Sequence, residues 1–169
     1  MAERKLGPRQ ALIGAFCFAL LSLLVSWIYV AFIESDEAKV QRAIASMVSG
    51  AEARSPRAVT TPFSADFKFT GSRYEIGKDE VRQALTRLFF TQYKFGFEVT
   101  LDPDPVPIAV AEDGKTATCS FRATARGQAS QDGEWISLRN REANGKRVYR
   151  ASFKKTEDGW RLQRLRLAE

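Results

Sequence analysis

The sequence predicts an α+β fold, with an N-terminal transmembrane helix followed by a curved antiparallel sheet packed on two or three helices. Three observations carry this expectation. Residues 10–33 hold no charged side chain. Residues 36–92 alternate helical periodicity with two short strand-like runs, and from Tyr93 to the end the pattern is period two, broken by turn signals. The organisation that follows is a polar tail (1–10), a membrane helix (11–33) and one domain (34–169).

A bilayer core of about 30 Å needs roughly 20 apolar residues, and ALIGAFCFALLSLLVSWIYVAFI meets that length. Its far end is bulky and then acidic (Phe32, Ile33, Glu34). That suits an uncleaved anchor better than a signal peptide, whose apolar core is shorter and ends at small residues. Trp27 and Tyr29 lie where amphipathic rings favour the headgroup level. Arg4, Lys5 and Arg9 precede the span, so the tail is expected in the cytoplasm and the domain outside the inner membrane. Ala15, Ala19, Ser22 and Ser26 recur at spacings of four, three and four. They form a small-residue seam suited to packing on another membrane helix, in a homo-oligomer or with another membrane protein.

After the span, Asp36 and Glu37 open a helix whose Val40, Ile44, Met47, Val48 and Ala51 share one side. Ser55-Pro56 starts a short second helix, which Pro62 ends. FSADFKFTG (63–71) alternates, with Phe63, Ala65, Phe67 and Phe69 on one side, and SRYEI (72–76) is a short strand. From Lys78 the period is helical again, with Val81, Leu85, Leu88 and Phe89 in one stripe. A strand follows around Phe95–Leu101, interrupted by Pro103, Pro105 and Pro107. Glu112-Asp113-Gly114 turns into a strand over 115–126. Asn144-Gly145 joins 135–141 to 146–155 as a hairpin. Glu157-Asp158-Gly159 turns into the last strand. Trp160 and Leu162 are out of phase with Leu165 and Leu167, which predicts a β-bulge near Gln163–Arg164.

Composition restricts the chemistry. There is no histidine, and the two cysteines, Cys17 and Cys119, fall one in the span and one in the domain, so no disulfide joins them within a chain. No metal-ligand spacing and no glycine-rich phosphate loop is present, so neither a metal site nor a cofactor is expected. By alternation Asp66 and Glu98 fall on the polar side of their strands, leaving no carboxylate on the apolar side and no residue to name as catalytic. Residues 139–166 carry ten Lys and Arg against three Asp and Glu. Alternation gathers Arg122, Arg150, Lys154 and Arg161 on the outer side of the sheet, a patch suited to an acidic protein partner or anionic lipid headgroups rather than to nucleic acid. The opposite side carries Cys119, Phe121, Tyr149, Phe153 and Trp160. These line any pocket the domain holds, with Ala117, Ala123 and Ala151 leaving room for an apolar ligand or letting a helix pack close.

The element order, and the final run YRASFKKTEDGWRLQRLRL (149–167), resemble the nuclear transport factor two-like superfamily, also called cystatin-like. The likeness spans roughly residues 36–169. It implies a cone of curved sheet over helices, and a membership that includes ketosteroid isomerases, polyketide cyclases, dehydratases, transport factors and assembly domains. An anchor before such a domain also resembles, in architecture, the inner-membrane assembly proteins of type IV secretion systems. The missing inward carboxylate favours a non-catalytic, membrane-anchored interaction or assembly domain as the expected function; the alternative is a small-molecule enzyme or lipophilic-ligand carrier using the cone interior.

Overall fold

The structure, a computed structural model, describes residues 18–22, 34–71, 74–138 and 148–168. The chain divides into two compact units, residues 1–35 and residues 36–169. In the first, residues 18–22 are helical and exposed, Ala19 and Ser22 among them. The rest of the expected span, including Ala15 and Ser26 of its seam, lies outside the described residues. Among the described residues no helix is long and apolar enough to cross a membrane.

The second unit opens with α1 (Asp36–Glu52). Asp36 and Glu37 face the positive end of its dipole. Val40 and Ile44 are buried, with Met47 half-buried against the same core. In α2 (Pro56–Thr60) the Ser55 hydroxyl accepts from the Ala58 N–H and Pro56 fills the first turn. Gly50 lets α2 approach α1, because a Cβ there would lie 2.8 Å from the Val59 nitrogen. β1 (Phe63–Thr70) and β2 (Glu75–Gly77) lead into α3 (Lys78–Arg87). The Glu80 carboxylate accepts from the Gly77 N–H at the start of α3. The helical stripe expected through Phe89 is split, since Leu88–Gln92 forms a π-helical turn that carries Phe89 into the core.

The remaining strands are β3 (Gly96–Asp102), β4 (Ile108–Val110), β5 (Thr116–Gln128), β6 (Ile136–Ser137), β7 (Val148–Thr156) and β8 (Gly159–Ala168). The sheet runs β2-β1-β8-β7-β5-β3, and β4 and β6 also pair with β5. The 13-residue β5 organises it. Residues 116–122 of β5 pair with β7 and 126–127 with β6; 117–119 pair with β4 and 122–128 with β3.

Three expectations are corrected. The sheet is mixed, not antiparallel, because β1 runs parallel to β8. A tight hairpin forces antiparallel pairing, but β1 and β8 lie far apart in sequence, so no turn fixes their direction. The alternation of β1 also breaks, with Phe63 and Phe67 buried, Ser64 buried as well and Ala65 exposed. The β1–β8 register shifts between Phe63 and Lys68, and the extra length of β1 brings the Phe63 and Phe67 rings into a 4.1 Å stack. Finally, of the strand expected over 135–141 the described part, 135–138, is strand only at Ile136–Ser137, which pairs with β5 as β6; residues 139–141 and the Asn144-Gly145 turn lie outside the described residues.

The expected bulge is present: Phe153 pairs with Leu162 and Ser152 with Arg164, leaving Gln163 unpaired in the ladder. The main core joins Val40 and Ile44 of α1 to Phe63, Phe67, Val106, Ala117, Phe153, Trp160 and Leu162. A second cluster, Ala51, Phe89 and Phe97, has its two rings edge-to-face at 4.9 Å. Each of these large side chains contributes about 1.5–3 kcal/mol by leaving water.

Candidate functional site

The inner face of the sheet has a packed end and an open end. At the packed end Cys119, Phe153 and Trp160 are buried in the main core, at 6%, 0% and 6% exposure. Burial pushes the Cys119 thiol up to about 11, so it stands protonated at neutral pH and is no nucleophile there. At the open end the cross-strand row Phe121, Tyr149 and Leu167 is half-buried throughout. The Phe121 and Tyr149 rings stack with centroids 6.0 Å apart. The next row continues through Cys119 and Ala151 to Leu165 and Phe69, the last two half-buried. From α3, the half-buried Val81 packs against the main core and Leu85 against the second cluster. This end therefore offers apolar and aromatic surface with one phenol, that of Tyr149.

The outer face is cationic. Its middle rows read Ser120–Arg150–Arg166 and Thr118–Ser152–Arg164 across β5, β7 and β8. These six residues, with Cys119 and Ala151, line a groove of about 410 Å³. Arg150, Arg164 and Arg166 are exposed and form no ion pair with any described residue. Beside the groove the bulge is pinned, with the Gln163 amide donating to the Asp66 carboxylate at 2.8 Å. That bond, and one from Ser64, hold the Asp66 carboxyl below the usual carboxylate range. Asp66 and Glu98 both lie exposed, outside the apolar interior. Among the described residues no three His, Cys, Asp or Glu side chains gather to hold a metal.

Residues 34–166 match the family model of the SnoaL-like domain. The chain belongs to this family. Solved structures share the fold of this SnoaL-like domain at low identity. A protein from Novosphingobium aromaticivorans described as nuclear transport factor two-like with a cystatin-like fold superposes with a TM-score of 0.61 at 19% identity, covering 88% of each chain. A candidate scytalone dehydratase from the same organism gives 0.60 at 14% identity, covering 76% of this chain and 79% of that one. A hexachlorocyclohexane dehydrochlorinase, LinA-type3 from Novosphingobium barchaimii, gives 0.58 at 10%, covering 78% and 84%. No curated protein gives a significant match.

The SnoaL-like fold scatters the residues expected to act together. Of the expected pocket lining, only Phe121 and Tyr149 reach the open end of the inner face; Cys119, Phe153 and Trp160 are core. Of the expected cationic patch, Arg150 lies in the groove. Lys154 is exposed opposite Arg161 on β8. Arg122 is tied to Asp102 at 3.2 Å. Arg161 donates to the Thr61 carbonyl at 2.9 Å, at another edge of the domain. Arg164 and Arg166 complete the groove, and sequence reasoning missed them. Their signal was the bulge itself: one extra residue at Gln163 turns the following even-numbered positions outward.

Proposed function

We propose that the SnoaL-like domain handles a small, largely apolar molecule on the open end of its inner sheet face, as an isomerase-, dehydratase- or cyclase-type enzyme or as a lipophilic-ligand carrier. The observation that carries this is the half-buried row Phe121–Tyr149–Leu167 beside Leu165 and Phe69, apolar surface that stays partly open although Phe121, Leu165 and Phe69 also pack against the core. Family membership supports it, as do the names of two proteins of the same fold, a candidate scytalone dehydratase and a hexachlorocyclohexane dehydrochlorinase, both of which point to small molecules. In this reading Tyr149 orients a polar group of the ligand. The test is binding of the uncharged fluorophore N-phenyl-1-naphthylamine to residues 34–169 produced alone. Saturable binding that weakens at least about tenfold in Phe121→Gln is expected, about the effect of losing one aromatic contact. Binding that does not saturate, or that ignores the substitution in a folded variant, refutes the reading.

A second reading rests on the outer face. The three arginines, without ion-pair partners among the described residues, favour an interaction surface for an acidic partner; this reading goes with residues 11–33 as an inner-membrane anchor, the domain extracytoplasmic and the Ala15–Ala19–Ser22–Ser26 seam against another membrane helix or a second copy. Charge reversal at Arg150 and Arg164 then spares folding and weakens a salt-sensitive acidic partner. Protease added to right-side-out vesicles digests the domain. A domain fully protected until lysis rules out that orientation.

A further inference from the structure

A separate crevice of about 410 Å³ lies among α2, the start of β1, the first turns of α3 and the β7–β8 turn. Four cations line it, Arg57, Lys78, Arg82 and Arg161, against a single carboxylate, Asp158. We propose that this crevice is a binding site for a small polyvalent oxyanion of the phosphate or diphosphate class. It shares no residue with the inner-face row or the outer groove.

The donors settle what the site recognises. The hydroxyl protons around it are spent on other acceptors: Thr60 on the Pro56 carbonyl, Thr61 on that of Arg57, Thr156 on that of Gly159, and Ser64 between the Leu162 carbonyl and the Asp66 carboxylate. Recognition therefore falls to the ammonium and guanidinium groups, and the backbone holds two of them in place. Lys78 Nζ donates to the Phe63 carbonyl at 2.8 Å, leaving two of its three N–H bonds. Arg161 Nη1 donates to the Thr61 carbonyl, and Arg82 Nε to the Thr60 hydroxyl at 3.2 Å, leaving other N–H groups of each fork. The Arg57 side chain makes no hydrogen bond or ion pair with any described residue.

The carboxylates nearby do not neutralise this set. Asp158 lies 3.8 Å from Arg161 and Asp79 lies 3.7 Å from Arg82, with 83% and 85% of their side chains exposed. Such rim pairs are long and screened. Lys78 feels the imbalance: burial first, then the charges of Arg82 and Arg161, lower its pKa. An anion entering the crevice relieves that repulsion. Cations arriving from three separate elements, α2, α3 and β8, suit a tetrahedral group with several charged oxygens, whereas one planar carboxylate occupies a single fork.

The test uses the full chain in a non-ionic detergent at fixed ionic strength, titrated calorimetrically with sodium pyrophosphate, phosphate and acetate. One site is expected, with pyrophosphate binding tighter than phosphate and acetate at least about tenfold weaker than either, as loss of a charge-assisted contact implies. Arg57→Gln, which removes no hydrogen bond or ion pair with a described residue, and Lys78→Gln should each weaken pyrophosphate at least about tenfold. Arg150→Gln on the outer face should leave it unchanged. Melting curves identify any variant that fails to fold, and Arg57→Gln then decides alone. Absence of saturable binding at millimolar pyrophosphate overturns the proposal. So does equal weakening by Arg150→Gln, which marks diffuse attraction to a basic protein.

Discussion

Replacing Asp36 with alanine tests how the N-terminus of α1 is fastened to the sheet. One carboxylate oxygen accepts from the Trp160 indole N–H and from Lys155 Nζ, both at 3.0 Å, and the second oxygen accepts from Lys155 at 3.0 Å. Trp160 is 6% exposed, so Asp36→Ala strands a buried donor, at a cost of about 1–3 kcal/mol. Lys155 is nearly half exposed, and its ion pair adds only about 0.5 kcal/mol after screening. The sum is about 1.5–3.5 kcal/mol, which for a domain of this size lowers Tm by about 4–11 °C. The indole bond first, and then Lys155, hold the Asp36 carboxyl below its ordinary value of 3.8. The contribution of the ionised group is therefore fully present above the unfolded pKa and is lost as pH falls through the lower folded one. Thermal melts of the wild type and Asp36→Ala should differ fully near neutrality and converge below about pH 4. Asp36→Asn, which keeps an acceptor for the indole, should fall between them. A Tm for Asp36→Ala within about 1 °C of wild type at pH 7 refutes the reasoning, as does a gap that persists unchanged in acid.

Three further outcomes follow. In a Cys17→Ser background, Cys119 should react with a maleimide at least about tenfold more slowly in the folded chain than in denaturant. Its raised pKa also makes stability fall as pH rises from about 9 towards about 11, where the unfolded thiol ionises and the folded one does not, and denaturation at two alkaline pH values checks the sign. Gly127→Ala should destabilise the domain, because a Cβ there would sit 2.3 Å from the Tyr93 ring; denaturant midpoints measure it, and an unchanged midpoint denies the close approach. Phe153→Ala, at a fully buried site, should cost about 3–5 kcal/mol in the same assay.

The elements of the second unit were largely legible because their periods are clean. Val40 and Ile44 mark the buried side of α1, and Ala117, Cys119, Ala151 and Phe153 mark the inner face of β5 and β7. What local pattern does not carry is which distant strand lies beside which. Nothing between residues 63 and 70 states that β1 meets β8, in parallel, so its broken alternation and the burial of Ser64 were hidden. The division of the expected pocket residues between core and half-buried positions has a related cause. Alternation assigns Phe153 and Trp160 to the same face as Phe121 and Tyr149, but distance along the strand decides which pair the helices cover. The cationic crevice was illegible for the same cause, since Arg57, Arg161 and the pair Lys78 and Arg82 come from three elements and only the tertiary fold brings them together.

The bulge at Gln163 links these sites. Without it, strict alternation from the inward Leu162 would turn Arg164 and Arg166 inward and Leu165 and Leu167 outward. With it, Arg161, Arg164 and Arg166 all avoid the core although they stand three and then two positions apart, while Trp160, Leu162, Leu165 and Leu167 all keep the inner side. One extra residue thus lets a single strand contribute to three places: Arg161 to the crevice, Arg164 and Arg166 to the outer groove, and Leu165 and Leu167 to the apolar inner face. The Gln163–Asp66 hydrogen bond fastens this arrangement where the register of β1 also shifts, so the two irregularities support each other across the only parallel pairing among the described strands. The place where the regular sheet pattern fails is the place from which the candidate binding surfaces are set.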